Sequence, residues 1–392
     1  MLSVLALARK SLVRFVFGVA ALGLAACTTG PIVSGPGPAA GGSGTVTVAL
    51  LVPGGSGQAS DELLARSLEN AARLAMADLN GVTIDLRVYK TAGQPGQAQA
   101  MAVQAVNEGA QVILGPVFAQ EANAAGVAVA GRGVNVLSFS NNPDIAGGNV
   151  FVLGQTFQTT ASRLASYAAR NGRQKVMIVH DRNTAGELGR AAIERGVAQA
   201  GGTVVGTGSY EFSQNGVVSA APGIVATAKS AGANAVFLTA DTAGALPLVT
   251  QLLRDNGMDT DAMRLIGLTR WDIPAATLAL PGVQGGWFAL PDPALYQQYQ
   301  ARYQAAYGEA PHPISGLAYD GIAAIGALAK RGQSGPIAAS ALSQGAGFVG
   351  VNGIFRLRSD GTNERGLAVA QVRSNQVVVV DPAPRSFGGA GF

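Results

Sequence analysis

Two histidines and one cysteine are the whole supply of soft ligands and thiol nucleophiles in this 392-residue chain. His180 and His312 lie far apart, which excludes metal sites of the HExxH type. No GxSxG elbow, SxxK or GxxxxGK(S/T) segment occurs, so the common serine-hydrolase, β-lactam-reactive and P-loop chemistries lack their residues. The turn GSGQAS begins like a dinucleotide fingerprint, but Ser60 stands where a third glycine belongs and no acid follows at the end of the next strand. His180 and Asp181 could act as an acid/base pair; the plainer reading is a strand-end histidine held by a local carboxylate or water. The chain is expected to be non-enzymatic, without a metal and without a cofactor.

What remains is a set of small polar residues placed where apolar strands end. ILGPVF turns through Gly115 and Pro116, and VNVLSFSNN closes on Ser138, Ser140 and Asn141. IVHDRNTAGE offers Asp181 and Thr184, and LTADTAG offers Thr239 and Asp241. In open parallel sheets ligands bind beyond the carboxyl ends of strands, because helix N-termini and loop amides converge there. Each residue taken alone reads equally as a helix cap. Together they are expected to line a cleft from two sides.

The elements that must position them follow a two-beat rhythm. TVTVALLV, VTIDLRVY, QVILG and VNVLSF read as strands, separated by stretches whose small apolar residues recur at helical spacing, such as Leu64, Leu68, Ala72 and Ala75. Strands alternating with helices imply βαβ units, parallel sheets and right-handed crossovers. The rhythm restarts after Leu153 with QKVMIVH, GTVVGTGSY, NAVFLTA and MRLIGL as strands. Two strong helices, ALYQQYQARYQAAYG and SGLAYDGIAAIGALAKRG, come next. The chain closes with antiparallel strands around the hairpin-turn signal SDG. The fold class expected is α/β, with two lobes of similar length. Trp271 and Trp287 read either as exposed partner contacts or as aromatic residues buried at a hinge.

Hydrophobic residues make up 48 % of the chain and charged residues 13 %, enough apolar mass for a large core. The 27 basic and 23 acidic residues give a net +4, but residues 1–26 hold three of the basic ones and no acid, leaving 24 against 23. With no basic run or stripe, nucleic-acid binding lacks its electrostatic footprint. Residues 1–26 combine Arg9, Lys10 and Arg14 with a short apolar run, the pattern of a secretory signal peptide. Leu24-Ala25-Ala26-Cys27 resembles the bacterial lipobox, which implies lipidation of Cys27 and a membrane anchor. Residues 27–44 are rich in Gly, Pro, Ser and Thr and read as a flexible tether with a mean span of about 20–25 Å. In lipoproteins that this segment resembles, Asp after the cysteine retains the protein at the inner membrane. Thr28 therefore implies the outer membrane of a Gram-negative cell.

The segments VALLVPGGSG, VILGPVFAQE, VNVLSFSNN, YGEAPHPISGLAYDGIAAI and GVNGIFRLRSDGTNERGLAVAQV resemble the type I periplasmic binding proteins, the leucine/isoleucine/valine-binding superfamily. Within it the chain looks most like the lipoprotein branch of penicillin-binding protein activators. The resemblance implies two Rossmann-like lobes with parallel sheets joined by three hinge crossovers, near Leu153–Gln155, Gln284–Phe288 and Gly347–Gly353. Lobe 1 is then expected to hold 45–153 and 286–346, and lobe 2 to hold 154–285 and 347–381, with 382–392 as a tail. It also implies that Ser138, Ser140 and Asn141 grip an amino acid's carboxylate and ammonium, and that Asp241 pairs with the ammonium. The chain carries Ala185-Gly186 where solute-binding members commonly have Tyr-Gly, which removes one aromatic wall. The function so implied is regulation of peptidoglycan synthesis through a bifunctional penicillin-binding protein. The alternative is capture of an amino acid, or a related small molecule such as a muropeptide, for ABC-type transport or sensing.

Overall fold

The computed structural model describes residues 45–332 and 335–388. The expected signal peptide, the Cys27 lipidation site, the tether to residue 44 and the last four residues of the expected tail lie outside the described residues.

The first sheet is built from β1 (Thr45–Val52), β2 (Thr83–Lys90), β3 (Val112–Leu114), β4 (Asn135–Ser138) and β5 (Val150–Val152). It is all parallel, in the order β2-β1-β3-β4-β5. Its inner strands are near-continuous apolar runs because helices cover both faces. On one face lie α1 (Ala59–Ala77), α8 (Pro293–Tyr307) and α9 (Gly316–Lys330), with Leu68, Ala72, Tyr303 and Ile322 packed against Val48 and Leu50. On the other lie α2 (Pro95–Asn107) and α3 (Ala119–Val129), whose alanines Ala102, Ala105 and Ala125 let the helices sit close against Ile113 and Val136.

The second sheet holds β6 (Lys175–Asp181), β7 (Thr203–Tyr210), β8 (Ala235–Leu238), β9 (Arg264–Gly267), β10 (Trp287–Leu290), β14 (Ala368–Arg373) and β15 (Gln376–Asp381), in the order β15-β14-β10-β9-β8-β6-β7. Five strands are parallel and the last two antiparallel. Helices α4 (Phe157–Arg170) and α5 (Thr184–Gln199) cover one face, α6 (Gln214–Ser230) and α7 (Leu246–Asp255) the other. Four of the α-helix starts carry side-chain caps: Thr156, Asn183, Ser213 and Asp292 each accept a backbone N–H of the first turn. A short helix α10 (Ala339–Leu342) precedes a third, small antiparallel sheet of β11 (Phe348–Gly350), β12 (Gly353–Leu357) and β13 (Asn363–Arg365), closed by the SDG turn with Gly361 at φ +80°. The expected α/β class with two parallel-sheet lobes is what the chain forms. No helix among the described residues is long and apolar enough to cross a membrane.

Two of the expected lobe boundaries are displaced. The second crossover was placed at Gln284–Phe288, yet Trp287 and Phe288 are buried strand residues paired with β9 and β14. The chain leaves the second sheet only after Leu290, when Asp292 caps α8. The third was placed at Gly347–Gly353, yet Phe348, Val351 and Phe355 pack in the first lobe's core, and the chain returns to the second sheet at Leu367 and Ala368. Neither tryptophan is exposed: Trp271 and Trp287 are both buried in the second lobe, the latter edge-on to Tyr167 at 4.8 Å. In the described part of the expected tail, Pro382 accepts a hydrogen bond from Arg163 and Phe387 lies under the Arg356 guanidinium at 4.6 Å.

The crossover segments are tied to each other by buried polar side chains. Arg365 Nε donates to Leu153 O (2.8 Å) and its Nη1 to Asp320 Oδ2 (3.0 Å), with the two side chains 2 % and 0 % exposed. Asn352 Nδ2 donates to the same carboxylate at 3.0 Å, and Asn363 Nδ2 reaches both Val152 O and Gly154 O at 2.8 Å. The first crossover, the third crossover and α9 thus meet at one point. Removing one partner of a buried pair leaves an uncompensated charge, which costs about 3–5 kcal/mol. Asp320→Ala should therefore lower the urea-unfolding free energy by about that amount, whereas a loss below about 1 kcal/mol, the range of an exposed pair, would show that the network is not needed for the fold.

Candidate functional site

A cavity of about 550 Å³ opens between the lobes at the carboxyl ends of the first sheet's strands. The first lobe contributes Phe118 and Ala119 at the start of α3, Phe139 to Asn142 after β4, and Ile314 and Leu317 at the start of α9. The first crossover contributes Gly154 and Gln155, and α4 adds Phe157 and Thr160. The second lobe contributes Leu268 to Arg270 after β9 and Ile273 beyond, and Asn352, Arg365 and Leu367 come from the third crossover region.

Local geometry explains why these residues face the space. Gly115 adopts φ +87° and a Cβ there would stand 2.3 Å from Leu51 O, so only glycine allows the chain to turn away from β3. Pro116 then offers its carbonyl to Phe139 N (2.9 Å) and to the Ser138 hydroxyl (3.0 Å). Ser138 in turn accepts from Ser140 N at 3.1 Å, and Ser140 accepts from Asn142 N at 3.1 Å. This ladder of serine turns carries Ser140 and Asn141 into the wall. Gly154 lies against it, donating to Ser140 O at 3.0 Å, where a Cβ would come within 2.4 Å of that oxygen.

The residues expected at the cleft separate into two groups. Ser140 and Asn141 line the cavity, while Gly115, Pro116 and the fully buried Ser138 stand behind them as the scaffold of the turn. The second-lobe set is not in the wall. Asp181 is occupied internally: Thr239 Oγ1 donates to its Oδ1 at 2.7 Å and Asn183 Nδ2 to its Oδ2 at 2.5 Å. Beside them the Tyr210 hydroxyl is pushed upward in pKa by burial and by the Asp181 and Asp241 carboxylates. Thr184 is an exposed first residue of α5, capped by Asn183, and Asp241 is exposed in the turn after β8. For these positions capping and turn chemistry account for the residue types. His180 Nδ1 lies 3.2 Å from Asp181 O and 3.6 Å from Glu187, a strand-end arrangement away from the cavity.

The reading from sequence missed the residues that give the cavity its charge. Arg270 is held by Asp272 through two bonds of 2.9 and 2.5 Å and lies 6.0 Å from the Tyr296 ring. Burial raises the pKa of that tyrosine, the more so with Asp272 near and against the pull of Arg270, so the phenol stays neutral. Arg365 sits in the buried crossover network. Among the residues lining the cavity there are two arginines and no Asp, Glu, Lys or His. A second cavity, of about 430 Å³, lies on the outer side of the first lobe against α1, α8, α9 and β11. In it Arg302 donates to Asp78 at 2.7 and 2.6 Å, and Lys330 stands at the wall as well.

A family model described as periplasmic binding protein matches residues 45–376. Among solved structures, a branched-chain amino acid ABC transporter periplasmic ligand-binding protein from Burkholderia xenovorans LB400 superposes with TM-score 0.66 at 17 % identity, over 88 % of this chain and 97 % of that one. An ABC transporter substrate-binding protein from Desulfitobacterium hafniense in complex with Leu gives 0.64 at 19 % identity, over 86 % and 100 %. A solute-binding protein of an ABC transporter from Rhodopseudomonas palustris BisB5, in complex with 3,4-dihydroxybenzoic acid, gives 0.59 at 19 % identity, over 88 % and 97 %. No curated protein matches the sequence.

Proposed function

The chain belongs to the periplasmic binding protein family, and on that premise we propose that it is a solute-binding protein whose inter-lobe cleft captures a small carboxylate-bearing molecule for an ABC-type transporter. The observation that carries this reading is the cavity walled by both lobes. Its volume lies in the range of small-molecule sites, and it combines broad apolar surface with a few convergent polar groups. The fold is the type I fold that the sequence resemblance implies, and a periplasmic location follows from the family. The relatives of the same fold that hold leucine and 3,4-dihydroxybenzoic acid support a small organic acid as the class of ligand. Regulation of peptidoglycan synthesis through a bifunctional penicillin-binding protein rests on segment resemblance alone, and the family match and the solved relatives favour solute capture over it.

A ligand that binds only the folded protein stabilises it by about 2.7 kcal/mol at a hundredfold excess over the dissociation constant. Thermal-shift measurements against amino acids, aromatic acids and peptidoglycan fragments should therefore find a stabilising compound. Ser140→Ala should weaken it by about 1.5–3 kcal/mol, the worth of a hydrogen bond to a charged group, while Asp241→Ala leaves it unchanged. Stabilisation abolished by Asp241→Ala, with Ser140→Ala silent, would move the site out of the cavity.

We also propose that Cys27 is acylated and holds the protein at a membrane facing the periplasm; the lipobox-like residues before it support this. Two or three acyl chains, at about 0.8 kcal/mol per buried methylene, suffice for lasting attachment. Metabolic labelling with an alkyne palmitate should tag the native protein and fail on Cys27→Ser, and equal labelling of both would exclude the assignment.

A further inference from the structure

The charges around the cavity specify more than a small organic acid. A zwitterionic ligand needs an acidic partner for its ammonium, because a charge taken out of water without a counter-charge is heavily penalised. The lining supplies none: its only charged side chains are Arg270 and Arg365. Asp241, the residue expected to receive an ammonium, is exposed outside the wall, and both oxygens of Asp181 are engaged within the second lobe.

The two arginines differ in what they have left to give. Arg270 is clamped by Asp272 through a two-pronged contact. Arg365 has Nε on Leu153 O and Nη1 on Asp320, but its Nη2 is buried with no hydrogen-bond partner. A buried N–H of a charged fork left unpaired is costly, and native structures nearly always satisfy such groups or keep them for a ligand. The Ser140 oxygen already accepts from Asn142 N, which leaves its hydroxyl proton free to donate. Around these donors the wall is apolar, with Phe118, Phe139, Phe157, Leu268, Ile314 and Leu317.

Resting on the solute-binding reading above, we propose that the cleft takes a monocarboxylate with an apolar body and no ammonium group, and that Arg365 Nη2 receives the carboxylate with Ser140 as second donor. Arg365 then bridges Asp320 of the first lobe and the ligand, while its Nε keeps hold of the first crossover.

Isothermal titration of the protein with 3-phenylpropanoate, 3-phenylpropanamide, L-phenylalanine and L-leucine separates the terms. The expected result is binding of 3-phenylpropanoate about tenfold or more tighter than the amide, whose carbonyl carries no charge to pair with the guanidinium, and likewise tighter than L-phenylalanine, which adds only the ammonium. Arg365→Lys, checked for folding by circular dichroism, should reduce the preference for carboxylate over amide, because the ammonium keeps the charge but not the fork that bonds Leu153, Asp320 and the ligand at once. Tighter binding of either amino acid, equal binding of the amide, or a folded Arg365→Lys protein that keeps the full preference overturns the proposal and leaves solute binding intact. Silence from all four compounds counts against both. Should Arg365→Lys fail to fold, the carboxylate-to-amide ratio in the unaltered protein still decides.

Discussion

The ion pair between Arg365 and Asp320 is the constraint around which the two lobes are assembled. Both side chains are withdrawn from water, and desolvation of two ions is repaid only when geometry is good and the remaining hydrogen-bonding capacity is met. Asp320 meets that condition with Arg365 and Asn352 as partners. Arg365 meets most of it, adding Leu153 O and the face of Phe355 at 5.0 Å. Since Asp320 belongs to α9, Leu153 to the first crossover and Arg365 to the strand just before the chain returns to the second sheet, one cluster fixes where the segments cross. Arg163 plays a comparable part on the far side, donating to Leu367 O at 2.7 Å and to Asp381 at 2.9 Å.

This arrangement makes the two lobes unequal contributors to the cleft. Both present polar residues at the carboxyl ends of their strands, as parallel sheets do. In the second lobe the groups after β6 and β8 are consumed among themselves, with Asp181, Thr239 and Asn183 forming a closed set. In the first lobe the serine ladder after β4 leaves Ser140 and Asn141 turned into the cavity. The apolar lining from α3, α4 and α9 then determines what shape of molecule fits, and the arginines determine its charge.

Much of the architecture is legible in the sequence because it is carried by local signals. Near-continuous apolar runs mark the parallel strands, and alanine spacing marks the packed helix faces. The lobe boundaries are not local. Trp287 and Phe288 were expected at a crossover, but an aromatic pair after Gly285-Gly286 reads the same whether it bridges lobes or pairs in a sheet. The strand assignment depends on Gln371 and Ala370, more than 80 residues on. Arg365 escaped for a related reason. A charged residue in an antiparallel strand ordinarily marks the solvent face, and its partner Asp320 lies 45 positions earlier in a helix that reads as apolar. The one available signal was Asn363 and Arg365 in i, i+2 register on a strand whose neighbours are apolar, so that both share a face.

Hydrogen–deuterium exchange with and without saturating 3-phenylpropanoate tests the central claim, that the space between the lobes is the binding site, most directly. The account predicts added protection in segments of both lobes at once: 118–119 and 139–142 in the first, 268–273 in the second, and 154–160 and 363–367 at the crossovers. Protection confined to one lobe, or centred on the strand ends at 181–184 and 239–242, would contradict it.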